Sequence, residues 1–139
     1  MRSPHSAVET PSPYPGIPAL INNRYRVREK LGQGMLGIAF LAHDTLEDRE
    51  VAIKVIHLDA LRRDMSGLLR HEFQAMSRLR HPNVVHVLDF DRIAGTSMSF
   101  FSMEYVKGKD FVSAVRDLPF EDLYPVVVQV CRSLAFIHS

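Results

Sequence analysis

The chain has little of several things that usually announce a function class. A single cysteine, Cys131, stands among 139 residues, so no internal disulfide can form, and its place in an apolar run marks it as a small buried side chain. Net charge is almost absent: 17 Lys plus Arg against 16 Asp plus Glu leave +1, which argues against a nucleic-acid or membrane surface as the main partner. No apolar run approaches the roughly 20 residues that cross a bilayer, and the N-terminus lacks the apolar core of a secretory signal. A lone thiol, balanced charge and no membrane segment together describe a soluble, cytoplasmic protein. A metal-ligand cluster is missing too. Of the seven histidines, His81 and His86 flank a proline break with no cysteine or carboxylate set to complete a tetrahedron, and His57 and His71 read as surface or packing residues. There are no internal repeats.

What is present is an ordinary globular balance, 46% apolar and 24% charged, enough for one modest domain. Residues 1–23 carry Pro4, Pro11, Pro13, Pro15 and Pro18 among Ser and Thr and read as a flexible leader. From Tyr25 the pattern changes. Tyr25, Val27 and Leu31 belong to a first strand, and after a glycine turn Ile38 to Ala42 begins a second. Asp44 to Arg49 is turn-like, and Glu50 to Leu58 is a third, strongly apolar strand. Short links make the sheet antiparallel. Between about Leu61 and Leu79 the period becomes helical: Leu69, Phe73, Met76 and Leu79 line one face, and Arg62, Arg63, Arg70, Arg78 and Arg80 fall mostly elsewhere. The helix ends at His81-Pro82-Asn83, because a proline disfavours helical dihedrals in the residue before it. Val84 to Phe90 and Ser97 to Tyr105 are two further strands around Gly95. After Gly108 come a short helix near Asp110 to Arg116 and a longer one reaching His138. Pro125 and Val126-Val127-Val128 are poor helix chemistry, yet Leu123, Val127, Val130, Leu134 and Ile137 keep helical spacing and favour a buried helix.

Three elements carry chemistry. Gly32, Gly34 and Gly37 make a Gly-x-Gly-x-x-Gly turn that can lie flat on phosphate oxygens. A dinucleotide-binding turn has the same spacing but leads into a helix, whereas Gly37 leads into the alternation of Ile38 to Leu41, which favours a hairpin lid. Should Gly37 open a helix, a nicotinamide-dependent oxidoreductase returns. Lys54, in Val51-Ala52-Ile53-Lys54, either snorkels to the surface or presents a fixed ammonium to phosphates. Glu72 falls between Leu69 and Met76, on or beside the apolar stripe. There it either pairs with a cation, of which Lys54 is the nearest that packing implies, or stays exposed at the stripe's margin.

Here the chain resembles the amino-terminal lobe of the eukaryotic-type protein kinases, and more closely their bacterial members, from about Tyr25 to the last residue. The glycine loop, Val-Ala-Ile-Lys, a helix glutamate ten residues ahead of Pro82 and Met103-Glu104-Tyr105-Val106 appear in family order. The resemblance implies an α+β fold. It places a five-stranded antiparallel sheet with one helix over residues 24–103, a hinge over 104–109, and the first two helices of an incomplete second lobe over 110–139. It implies ATP as cofactor, with Lys54 on the α and β phosphates and Glu72 paired to Lys54 in the active state. Leu31, Gly32, Gly34, Gly37, Ala39 and Ala52 would line the nucleotide. Met103 would be the gatekeeper, the Glu104 and Val106 backbones would bind the adenine edge, and Asp110 the ribose. The activity implied is transfer of the γ-phosphoryl of ATP to protein hydroxyls, serine/threonine by the family's prevalence.

Three residues depart from the pattern. Ala39 stands where the family usually has a valine over the adenine, and Met35 and Leu36 at the loop tip are bulkier or less aromatic than the family's common choices, which bears on the grip on the γ phosphate. The catalytic loop and the Mg²⁺ ligands are expected beyond Ser139, so residues 1–139 alone are expected to be inactive. A pseudokinase-type module that binds ATP or a partner without chemistry is the alternative.

Overall fold

A computed structural model describes residues 12–56 and 65–139. Its frame is one six-stranded antiparallel sheet: β1 (Leu20–Ile21), β2 (Tyr25–Gly34), β3 (Gly37–Asp44), β4 (Arg49–Ile56), β5 (Val87–Arg92) and β6 (Ser99–Glu104), in the order β1-β2-β3-β4-β6-β5. Helix α1 (Met65–Met76) precedes β5, and α2 (Phe111–Val115) and α3 (Phe120–Ile137) follow β6. Short connections join β2 to β3 and β3 to β4, as antiparallel neighbours allow. The expected strand end at Leu58 and helix start near Leu61, with His57, Arg62 and Arg63, fall outside the described residues.

The sixth strand corrects the expectation of five. Residues 12–23, assigned to a leader, pack onto the sheet: Ile17 and Ile21 are 4% and 0% exposed, and Tyr14 stacks on Phe40 with ring centroids 4.8 Å apart. Prolines deny this stretch a regular ladder, but Tyr14, Ile17 and Ile21 between them still find apolar partners, each buried aliphatic side chain contributing about 1.5–3 kcal/mol. Asn22 and Asn23 then take φ of 49° and 55°, and the Arg24 N–H donates to the Ile21 carbonyl at 3.0 Å. That is a tight turn with two left-handed residues, a conformation asparagine tolerates well.

The sheet curls until its two outer strands meet. Asn22 Nδ2 donates to the Arg92 carbonyl at 2.7 Å, and its Oδ1 accepts the Ala94 N–H at 2.9 Å. Residues beside β1 are thereby tied to residues beside β5, although these strands stand at opposite ends of the sheet order. Arg24 reinforces the closure with a two-pronged pair to Asp44 (2.9 and 2.8 Å) and a longer contact to Asp89 at 3.6 Å. The concave face inside holds the main core: Tyr25, Phe40, Ala42, Val51, Ile53, Val55, Ile93, Met98 and Phe100, with Ile17 and Ile21 from the leading segment.

The opposite face carries a smaller apolar cluster, Ile56, Phe90 and Phe101, on which Leu69 and Phe73 of α1 settle. Their i, i+4 spacing makes one helix stripe. The helix is shorter than its sequence period, ending at Met76, and Met76 is partly exposed. Asp110 caps α2, its Oδ1 accepting the Ser113 N–H at 3.0 Å. Helix α3 forms in spite of Pro125, which lies near its start, and Glu121 and Asp122 in the first turn suit the positive end of the helix dipole. The expected burial of α3 is only partial: Val127, Val130, Leu134 and Ile137 are 40–49% exposed, and Cys131 is exposed rather than buried. Spacing gives the stripe but not what covers it. Asn83 Nδ2, donating to Gln129 Oε1 at 2.9 Å, and the His81–Phe136 ring contact at 5.0 Å join α3 to the loop after α1. No helix among the described residues is long and apolar enough to cross a membrane.

Candidate functional site

The register of three strands assembles the candidate residues. Residues directly opposite in an antiparallel ladder share a face. Ala39 of β3 faces Gly32 of β2 on one side and Lys54 of β4 on the other, Leu41 faces Ala52, and Ala52 faces Met103 of β6. Ala39, Ala52, Lys54 and Met103 therefore occupy one patch on the convex face. All four are only partly buried, whereas Phe40, Val51, Ile53 and Val55, pointing the other way from the same strands, are fully buried.

The glycines divide by purpose. A Cβ at Gly32 or Gly34 would meet no atom of the described residues within 4 Å, so nothing in their packing asks for glycine there, and the open hairpin surface leaves room for a ligand to approach the backbone. Gly37 is different. A Cβ there would lie 1.9 Å from the Val55 carbonyl oxygen, so this glycine serves the close approach of β3 to β4. It opens a strand, not a helix, which removes the oxidoreductase. Beyond it the hairpin tip is bare: Met35 is 95% and Leu36 51% exposed.

Lys54 and Glu72 are not joined by an ion pair. Among the described residues, contacts within 4.0 Å join Arg24 to Asp44, Arg24 to Asp89 and His43 to Asp48. Glu72 is exposed, so water solvates it and the cost that would demand a cation does not arise. The helix nonetheless lies on the lysine's side of the sheet. Phe73, beside Glu72, packs on Phe101 with centroids 6.1 Å apart, and Phe101 stands directly opposite Lys54.

Past Met103 the strand gives way to an exposed connection through Val106 to Asp110. His86 braces its start in a way the sequence does not reveal, since the two residues lie 18 apart: its N–H donates to Glu104 Oε2 at 3.0 Å, and its carbonyl accepts the Glu104 N–H at 3.0 Å. The Val106 N–H makes no hydrogen bond among the described residues, and the residue is 66% exposed. Leu31, 41% exposed, sits at the mouth of the hairpin. Asp110 is held below the usual carboxylate range by hydrogen bonding to Ser113, so one of its oxygens is committed to the cap of α2. No group of three His, Cys, Asp or Glu among the described residues could hold a metal ion.

A protein kinase domain model matches residues 25–139. The chain belongs to the protein kinase family. It is 32% identical over 131 residues to the serine/threonine-protein kinase PksC of Streptomyces coelicolor, covering 87% of this chain and 24% of that protein. It is 33% identical to the serine/threonine-protein kinase PknB of Mycobacterium leprae, covering 88% and 21%. The fold matches the PknI kinase domain of Mycobacterium tuberculosis with a TM-score of 0.69 and 25% identity, over 82% of this chain and 47% of that one. The chain thus spans about a quarter or less of the curated kinases it matches and about half of that solved domain. Within the family, the curled sheet and α1 are the amino-terminal lobe of a bacterial-like serine/threonine kinase, and α2 and α3 begin the second lobe.

Proposed function

We propose that this chain is the ATP-binding part of a cytoplasmic serine/threonine protein kinase, and that the complete polypeptide transfers the γ-phosphoryl of ATP to protein hydroxyls. One observation supports this above the others: the ladder gathers Ala39, Ala52, Lys54 and Met103 on a partly open patch beside a glycine hairpin, with space over Gly32 and Gly34 that none of the described residues fills. These residues fit an adenine nucleotide. Lys54 would neutralise the α and β phosphates, the hairpin backbone would cover them, Ala52 and Ala39 would pack on the base, Met103 would limit its depth, and the Glu104 carbonyl and Val106 N–H would bind its edge. Glu72, on the helix that packs on the lysine's face of the sheet, would pair with Lys54 in the active state. Mg²⁺ bridging the phosphates would supply charge neutralisation in transfer, and no set of ligands for it gathers among the described residues.

Transfer needs metal ligands, and no set of them gathers among the described residues, so residues 1–139 alone should bind nucleotide without turning over. In the complete protein, Lys54→Met should abolish phosphoryl transfer and weaken MgATP binding while the thermal midpoint stays put. Retained transfer would mean that another cation orients the phosphates. A non-catalytic, pseudokinase-type module is favoured by Ala39 and by the lack of an ion pair between Lys54 and Glu72 among the described residues. Nucleotide binding by the complete protein without phosphate transfer to itself or to a general protein acceptor would select it.

A further inference from the structure

We propose that Tyr14 is a positioning residue for the glycine hairpin, so that the proline-rich segment ahead of the sheet sets how firmly that hairpin holds a nucleotide. The inference rests on the nucleotide reading of the site. The hydroxyl of Tyr14 accepts the Lys30 N–H at 2.8 Å, and its ring stacks on Phe40 with centroids 4.8 Å apart. Lys30 and Phe40 are cross-strand partners, so one side chain brackets both halves of the hairpin at its base. The contact falls where β2 is irregular, since the register shifts between Lys30 and Gly32. A bulge lets a strand bend, and what fixes its flanking residues decides where the bend points. Lys30 then reaches forward, its Nζ donating to Gln33 Oε1 at 2.6 Å, inside the glycine turn.

The tip has no comparable support among the described residues. None of them fills the space over Gly32 and Gly34, and Met35 and Leu36 are exposed. Phe40 lies on the face opposite Ala39, so Tyr14 props the hairpin from behind and leaves the ligand side clear. The segment that delivers Tyr14 is anchored at its other end by buried Ile17 and Ile21 and by the Asn22 bonds to Arg92 and Ala94. One stiff strap therefore runs from the closure of the sheet to the base of the hairpin.

Tyr14→Phe removes the acceptor and keeps the ring. In the full-length protein, MgATP affinity should fall about threefold to tenfold, the range expected for one net hydrogen bond. Amide exchange across residues 32–37 should quicken by a similar factor. Exchange in β4 and β6 should not move, a pattern that plain loss of core support would not give. Unchanged exchange in the hairpin, or an equal rise through the whole sheet with a lower midpoint, overturns the proposal. If wild-type protein fails to bind MgATP, the nucleotide reading is lost, and hairpin exchange alone still decides whether Tyr14 positions it.

Discussion

The two faces of the sheet are made by the same strands and built to opposite standards. On the concave side Phe40, Val51, Ile53, Val55 and Phe100 are 0–1% exposed, Tyr25 and Phe100 meet edge to face at 5.5 Å, and the Tyr25 hydroxyl reaches Ser102 Oγ at 3.3 Å. On the convex side Ala39, Ala52, Lys54 and Met103 are left partly open, and the small apolar cluster under α1 reaches only Met103 among them. A domain with this much buried surface has no need to leave alanines and a lysine in the middle of a sheet for stability's sake. On the proposed reading the concave face carries the stability and the convex face the ligand, so substitutions one residue apart on a strand should have different readouts.

The largest effect belongs to the concave face. Phe100→Ala leaves a cavity in the densest part of the core and should cost about 3–5 kcal/mol in denaturant unfolding. Lys54→Met, on the neighbouring strand but the other face, should cost under about 1 kcal/mol in the same experiment and yet lower phosphoryl transfer by the complete protein at least about a hundredfold, the scale of one charge-stabilising group. Equal losses of stability from both would erase the division between faces.

Next comes the closure of the sheet. Asp44 is fully buried, and hydrogen bonding from Arg24 first, then the N–H groups of Leu46 and Glu47, holds its carboxyl below the ordinary range against the opposing effect of burial. Asp44→Ala should cost about 2 kcal/mol, less than a sealed pair because Arg24 keeps 28% exposure and part of its solvation. The sign with pH follows. A depressed folded value means the unfolded chain takes up the proton first, so this contribution is whole above about pH 4 and is lost as pH falls through the folded value. Acid titration of stability should lose that segment in Asp44→Ala, and an unchanged profile would place the acid sensitivity elsewhere.

The same contrast explains what the sequence disclosed. Strands β2 to β4 were legible because alternation through Ile38 to Leu41 and the turn residues after Asp44 are local signals, and Leu69 with Phe73 gave the buried stripe of α1. Helix α3 was legible through Val127, Val130, Leu134 and Ile137, although their exposure was not, since spacing says nothing about what packs on a stripe. The strand Leu20–Ile21 was hidden because two residues have no period and proline dominates their surroundings. Its local clue was Asn22-Asn23, a dipeptide suited to left-handed turns. Whether Lys54 and Glu72 meet depends on where α1 lies over the sheet, which no periodicity encodes. The pairing of Ala52 with Met103 was likewise beyond spacing, because some fifty residues of chain intervene.

The smallest predicted effect gives the sharpest test of the convex patch. Ala39 lies between Gly32 and Lys54, on the face where a nucleotide base would rest, and it is only partly buried by the chain itself. Ala39→Val adds two methyl groups to a strand position, where a branched side chain is at home, so unfolding free energy should change little. If an adenine covers part of that added surface, at about 25 cal/mol per Å² the gain is about 1 kcal/mol, and MgATP should bind about fivefold more tightly. GTP, differing in the hydrogen-bonding edge of its base but not in the apolar face above it, should gain by a similar factor from its own weaker starting point. Unchanged affinity for both would mean that the base does not lie over Ala39, and the patch would then hold phosphates without holding the purine. Tighter binding of inorganic triphosphate in the variant would point the same way, because that ligand has no base to touch a valine.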